Sequence, residues 1–206
     1  VLDCIASGCA WVDMKATGVD ILISAPQKGW SSTPSAGVVI MSNRAVEVVE
    51  SSNSNSFAID LKKWYSIMKT YESGGHAYHT TMPTDSLCHF RDTMLETKEY
   101  GFDRLCQNQW ELGNGVRKML QRKGIKSVAA EGFQAPGVIV SYTNDAMIQS
   151  GAKFRDLGIQ IAAGVPLMCD EPKDFSTFRI GLFGLDKLYN TERSLEKLQK
   201  AFDDIF

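Results

Sequence analysis

The chain has 206 residues, 44% of them hydrophobic, which suits one or two domains with real cores. Its formal charge of −2, with no basic cluster, argues against nucleic acid as a partner. No apolar run reaches the length of a membrane helix and no signal peptide is visible, so neither a membrane partner nor secretion is expected, although the chain opens at Val1 without Met.

Two short apolar runs come first. Val1-Leu2 leading into Asp3, and Val19 to Ser24, are continuous in apolar character and predict buried strands of a mostly parallel sheet. A further strand is predicted at Gly37–Met41, followed by a polar loop at Ser51–Ser56. Thr84 predicts a helix N-cap, with Leu87, Phe90, Met94 and Leu95 as the apolar stripe behind it. Leu105, Trp110, Leu112, Val116 and Leu120 mark a second helix stopping at Gly124. Strands near Gly137–Tyr142 and Phe178–Leu182 flank a predicted helix around Met147–Leu157. An amphipathic helix closes the chain from Thr191, taken as its cap, through Leu195, Leu198, Phe202 and Ile205. This divides the chain into residues 1–83, the remainder of a large domain, a linking helix over 84–100, and a small α+β domain over 101–206.

Asp3 and Lys28 are the candidate chemistry. Both fall just past predicted strand ends, the edge of an open α/β sheet where ligands bind. A partly desolvated amine there can attack a carbonyl. A carboxylate opposite it can hold a pyridinium nitrogen protonated. The plain alternatives are a solvated loop lysine and an aspartate serving as a helix cap or turn residue. Arg179 offers a planar guanidinium suited to bidentate recognition of a carboxylate; its flanks Phe178, Ile180, Leu182 and Phe183 disfavour an exposed strand.

Four blocks, in order, resemble the class V pyridoxal-phosphate aminotransferases of the alanine–glyoxylate and serine–pyruvate type. They are Val1-Leu2-Asp3-Cys4-Ile5-Ala6-Ser7, Gly18 to Ser24 running into Gln27-Lys28, Tyr78-His79-Thr80-Thr81-Met82-Pro83, and Phe178-Arg179-Ile180-Gly181-Leu182-Phe183-Gly184. The resemblance implies fold type I, with this chain matching the C-terminal half: the end of the large cofactor domain followed by the small α+β domain. It implies pyridoxal 5′-phosphate as cofactor, Lys28 as the Schiff-base lysine and proton carrier, Asp3 at the pyridinium nitrogen and Gln27 near the cofactor. Tyr78 and Thr81 would reach a neighbour's cofactor phosphate in a homodimer with shared active sites. Arg179 would bind the carboxylate of small amino-acid and 2-oxo-acid substrates. The implied reaction moves an amino group from alanine or serine to glyoxylate or pyruvate. Aminoethylphosphonate or ureidoglycine transaminases, a cysteine desulfurase, and a non-catalytic folding or dimerisation unit remain alternatives.

The Gly/Ser/Thr phosphate-binding loop of the family and its ring-stacking aromatic have no match here; Gly113-Asn114-Gly115 lies inside a helical pattern and Gly74-Gly75 precedes the Tyr78 block. The expectation is therefore weak cofactor retention by this chain alone. Cys4, Cys9, Cys88, Cys106 and Cys169 show no metal or disulfide spacing, so no metal is expected and a reducing compartment fits, cytoplasm or an organelle matrix such as a peroxisome or mitochondrion. Cys169 is read as structural, lacking the small-residue context of a desulfurase loop. His76 and His79 receive no role, and His89 is assigned to packing on its helix.

Overall fold

The computed structural model describes residues 1–206. The first sheet holds β1 (Leu2–Asp3), β2 (Ile21–Ser24) and β3 (Val38–Met41), in that order. β1 runs parallel to β2, with Asp3 opposite Ile23, while β3 is antiparallel to β2. Only Leu22 of β2 is buried, and Leu2 and Asp3 are both exposed. The expectation of buried strands is corrected here. β1 is an edge strand.

Four helices surround and follow this sheet: α1 (Met14–Thr17), α2 (Asn43–Ser51), α3 (Leu61–Glu72) and α4 (Thr84–Tyr100). The start of α2 is fixed by a relay of polar groups. Ser42 donates to Asp20 Oδ1 at 2.7 Å while its oxygen accepts from the Ala45 N–H at 3.2 Å, the ordinary work of an N-cap. Arg44 returns from the first turn onto the same carboxylate. These hydrogen bonds, led by the one from Arg44, hold the Asp20 carboxyl down at about 2.

α4 begins at Thr84 with Pro83 as the flanking residue and no side-chain cap, so Thr84 is the first helical residue rather than the N-cap. Its buried face is Phe90, Thr93 and Thr97, while Leu95 is exposed. The two threonines fit a packed helix because Thr93 donates to the Phe90 carbonyl at 3.0 Å and Thr97 to that of Thr93 at 2.7 Å.

The long helix α5 (Phe102–Arg122) ends where Gly124 takes φ 77°, the left-handed geometry that closes helices. The second sheet has the order β4 (Val138–Tyr142), β6 (Thr177–Gly181), β5 (Ala162–Ala163), all antiparallel neighbours. The single helix predicted around Met147–Leu157 is two: α6 (Ala146–Gln149) and α7 (Ala152–Asp156), parted at Gly151, whose φ is 77°. α8 (Leu185–Leu188) and α9 (Thr191–Ile205) complete the chain. Asn190, not Thr191, caps α9, accepting from the Arg193 N–H at 2.9 Å.

The main core lies among α5, the second sheet and α9. Leu105, Leu112, Val116 and Leu120 from one face of α5 meet Ile139, Phe178, Ile180 and Leu182 of the sheet, with Phe154 and Phe202 filling the far side. The glycines inside α5 are close-approach positions. A Cβ at Gly113 would stand 2.6 Å from the Pro136 carbonyl oxygen, and one at Gly115 2.6 Å from Leu195 Cδ2.

Candidate active site

Asp3 ends β1, and Lys28 follows the end of β2 by four residues, so the parallel pairing of these strands delivers both to one sheet edge. Asp3 Oδ1 accepts from the Ile5 N–H at 2.9 Å, which fixes the carboxylate and leaves Oδ2 without a partner in the chain. The two turns beyond the strands are pressed together. A Cβ at Gly29 would fall 2.2 Å from the Gly8 carbonyl oxygen, a backbone contact that only glycine allows.

The turn carrying Lys28 is tied down on every side. Ser31 N–H donates to the Lys28 carbonyl at 3.1 Å and Ser32 N–H to that of Pro26 at 3.0 Å. Trp30 Nε1 donates to Ser24 Oγ at 3.2 Å, and its ring packs 5.1 Å from that of Trp11. Cys9, beneath the turn, is buried, and burial pushes its thiol up to about 12, with Cys106 adding to the effect. It is a packing thiol. Lys28 itself is half-buried, and its Nζ has no hydrogen bond or ion pair in the chain. Its close neighbour is the ring of Phe183, whose centroid lies 5.4 Å from Nζ.

Lys28 opens onto a cleft of about 360 Å³, walled by the Gln27–Ser32 turn, by α4 and by the segment from Phe183 to Lys187. Gln27 shares this cleft, as do Thr93 and Glu96. So does His89, and here the packing role is corrected: His89 is exposed on the cleft wall. It sits just before the buried Phe90, one position off the packed face of α4, an offset of roughly 100° that places it at the edge of the stripe.

The other predicted residues lie elsewhere. Tyr78 and Thr81, on the loop between α3 and α4, have their hydroxyl oxygens 3.2 Å apart and do not line the Lys28 cleft. Tyr78 is 73% exposed. Between them, His79 is wedged against Phe57 and Trp64, at 4.5 and 4.9 Å, with its Nε2 buried and unpartnered. Arg179 sits in the middle strand of the second sheet. Its Nε donates to the Ala163 carbonyl at 2.8 Å, leaving the two terminal nitrogens without partners in the chain. The structure thus brings Asp3 and Lys28 to the same end of the paired strands β1 and β2, puts Gln27 with Lys28 on the cleft, and pairs Tyr78 with Thr81, while Asp3 and Arg179 are not among the residues that line that cleft.

Cys169 is exposed and packs in no core, which corrects its structural reading. It lies in a sharp turn where Met168 and Asp170 take φ 60° and 62°. Glu171 clamps that turn, accepting from the Cys169 N–H at 2.8 Å and the Met168 N–H at 3.0 Å. Those backbone bonds, Cys169 first, lower the Glu171 carboxyl from 4.5 to about 2. A depressed carboxyl stabilises its fold above its unfolded value, and that contribution is lost as pH falls toward the folded one. The 167–171 turn should therefore loosen between pH 4.5 and about 2. Protection of the Met168 and Cys169 amides, measured against intrinsic exchange at the same pH, should fall over that window and be low already at neutral pH in Glu171→Ala; unchanged protection in that variant would remove the clamp.

No group of histidine, cysteine or acidic side chains could hold a metal ion, and no helix is long and apolar enough to cross a membrane. No protein-family profile matches the chain. In sequence it is similar to the alanine–glyoxylate aminotransferase of Felis catus, 24% identical over 98% of this chain and 49% of that protein. It is also similar to a 2-aminoethylphosphonate–pyruvate transaminase of Vibrio cholerae, 26% identical over 98% of this chain and 54% of that one. In structure it superposes on an alanine–glyoxylate aminotransferase from Nostoc sp. with a TM-score of 0.78 at 20% identity, over 99% of this chain and 53% of that one.

The chain has the fold of the fold-type I aminotransferases. It spans about half the length of the curated relatives it matches, corresponding to the C-terminal half. The resemblance drawn from the four sequence blocks, to the C-terminal half of class V aminotransferases, stands.

Proposed function

We propose that this chain forms part of a pyridoxal-phosphate-dependent aminotransferase that moves an amino group from a small amino acid, alanine or serine, to glyoxylate or pyruvate. The observation that carries the reading is Lys28: an amine on a rigid turn at the end of parallel strands, half-buried, unpaired, and open to a cleft. An unpaired amine and, at the end of the neighbouring parallel strand, an Asp3 carboxylate with a free oxygen are a donor set that fits the cofactor. Pyridoxal phosphate, when bound, supplies an electron sink for the carbanion at the substrate α-carbon.

The side chains then have separate tasks. Lys28 Nζ would hold the cofactor and, when free, would carry the proton to and from the substrate α-carbon. The Asp3 carboxylate, its Oδ2 free in the chain, would keep the cofactor's ring nitrogen protonated. Gln27, on the same cleft, has a polar role near the cofactor. Tyr78 and Thr81, which do not line the Lys28 cleft of their own chain, serve the phosphate in the partner of a homodimer. The terminal nitrogens of Arg179 bind the substrate carboxylate in a fork. Residues 1–83 and 101–206 are the two domains in this reading, with α4 between them.

A second reading is favoured by the likeness to the Vibrio cholerae transaminase: the donor is 2-aminoethylphosphonate. Initial rates with alanine, serine and 2-aminoethylphosphonate, each with glyoxylate and pyruvate, separate the two. The proposal expects alanine or serine with glyoxylate or pyruvate to give the highest kcat/KM. A dominant phosphonate rate would transfer the assignment to the second reading, and no turnover with any pair would leave the chain a folding or dimerisation unit.

A further inference from the structure

We infer that Phe183 is a positioning residue for Lys28, its ring serving as the seat on which the ammonium rests. The inference rests on the reading above in that Lys28 is taken as the reactive amine. Nζ lies 5.4 Å from the ring centroid, inside the range in which an aromatic face attracts a cation. Nζ makes no hydrogen bond or ion pair in the chain, and the two carboxylates on the same cleft are engaged elsewhere, Glu96 by the Tyr189 hydroxyl and Asp186 by Lys187.

The ring is itself held by missing side chains. A Cβ at Gly137 would stand 2.7 Å from Phe183 Cε1, one at Gly8 3.4 Å from Cδ1, and one at Gly181 3.7 Å from Cδ2. One edge of the ring thus runs along Gly137 and Gly8 and the other along Gly181, so three glycines form a slot that fixes its plane. Gly8 belongs to the turn after β1, whose carbonyl also presses on Gly29, the residue after Lys28. Gly137 and Gly181 bracket the β4 and β6 pair, where Val138 lies opposite Gly181. The slot therefore joins the lysine turn to the second sheet. Its side chain then places the amine against the cleft shared by Gln27 and His89. A leucine would fill much of the same volume without a π face. A tyrosine would keep the face.

The test reads the Lys28 amine directly, without cofactor. Protein is acetylated with limiting acetic anhydride at neutral pH, and the rate at each lysine is followed by peptide mass spectrometry. An aromatic face attracts the ammonium and not the neutral amine, so Phe183→Leu should speed acetylation of Lys28 by roughly two- to five-fold. Lys187, on the same cleft, and Lys62, on α3, should be unchanged, and Phe183→Tyr should match the wild type. Gly137→Ala, which drives a methyl into the ring edge, should reproduce the leucine result with Phe183 still present. Equal Lys28 rates in wild type and Phe183→Leu would overturn the inference, and so would equal changes in the leucine and tyrosine variants. If Lys28 responds as expected but takes up no pyridoxal phosphate, the seat stands and the enzymatic reading falls; uptake at Lys28 with no effect of Phe183→Leu gives the reverse.

Discussion

Lys28→Ala is expected to lower amino transfer by roughly 10²–10⁴-fold, the usual consequence of removing a positioned proton carrier, and to abolish covalent uptake of pyridoxal phosphate. The fold should survive. Lys28 makes no hydrogen bond or ion pair, and the interaction lost is the one with Phe183, worth about 0.5–1 kcal/mol at a half-exposed site. The backbone bonds to its carbonyl and the Gly8–Gly29 packing do not involve the side chain. Activity should thus collapse while the urea midpoint moves little. A variant retaining more than about a tenth of wild-type turnover would show that another group carries the proton.

The largest expected loss of stability is at Phe202. It is fully buried on α9, with its ring 6.2 Å from Phe154 and 5.9 Å from Phe206. Phe154 and Phe178 are also fully buried, so of these rings only the partly exposed Phe206 at the chain end has freedom to shift toward the space. Phe202→Ala should cost about 3–5 kcal/mol, a large share of the roughly 5–15 kcal/mol that a folded domain has in hand. Urea unfolding should show a lower midpoint at an unchanged slope. A loss below about 1 kcal/mol would mean that the aromatic cluster repacks around the missing ring.

Where the chain buries a continuous face, its structure was legible from sequence. Leu105, Leu112, Val116 and Leu120 recur at helical spacing because α5 presses one face on the second sheet, and Gly124 ended the helix as its position implied. β2 and β3 fell close to their predicted spans. α3 was missed although Leu61, Trp64, Tyr65, Met68 and Tyr71 recur at helical spacing; that stripe is only partly covered in the fold, and none of its residues is buried. α2 was masked by Val46, Val48 and Val49, β-branched residues that suit strands as well as helices, and only Ala45 and Val49 are buried. The break at Gly151 needed the backbone itself, because the apolar pattern runs straight through it.

The site divides in the same way. Asp3 and Lys28 could be placed at one edge because strand ends are local features. Phe183 could not be tied to Lys28, since the two are brought together by glycine contacts between distant segments. His89 was assigned by residue type to the packed face, and a rotation of one residue along α4 puts it in the cleft.

The measurement that bears most directly on the central claim is borohydride trapping. The protein is mixed with pyridoxal 5′-phosphate, reduced, digested and mapped, with Lys28→Ala treated alongside. A single stable adduct on Lys28, absent from the variant and suppressed by prior addition of alanine, is the expected result. Adducts spread over surface lysines such as Lys62 and Lys197, identical in the two proteins, would contradict it.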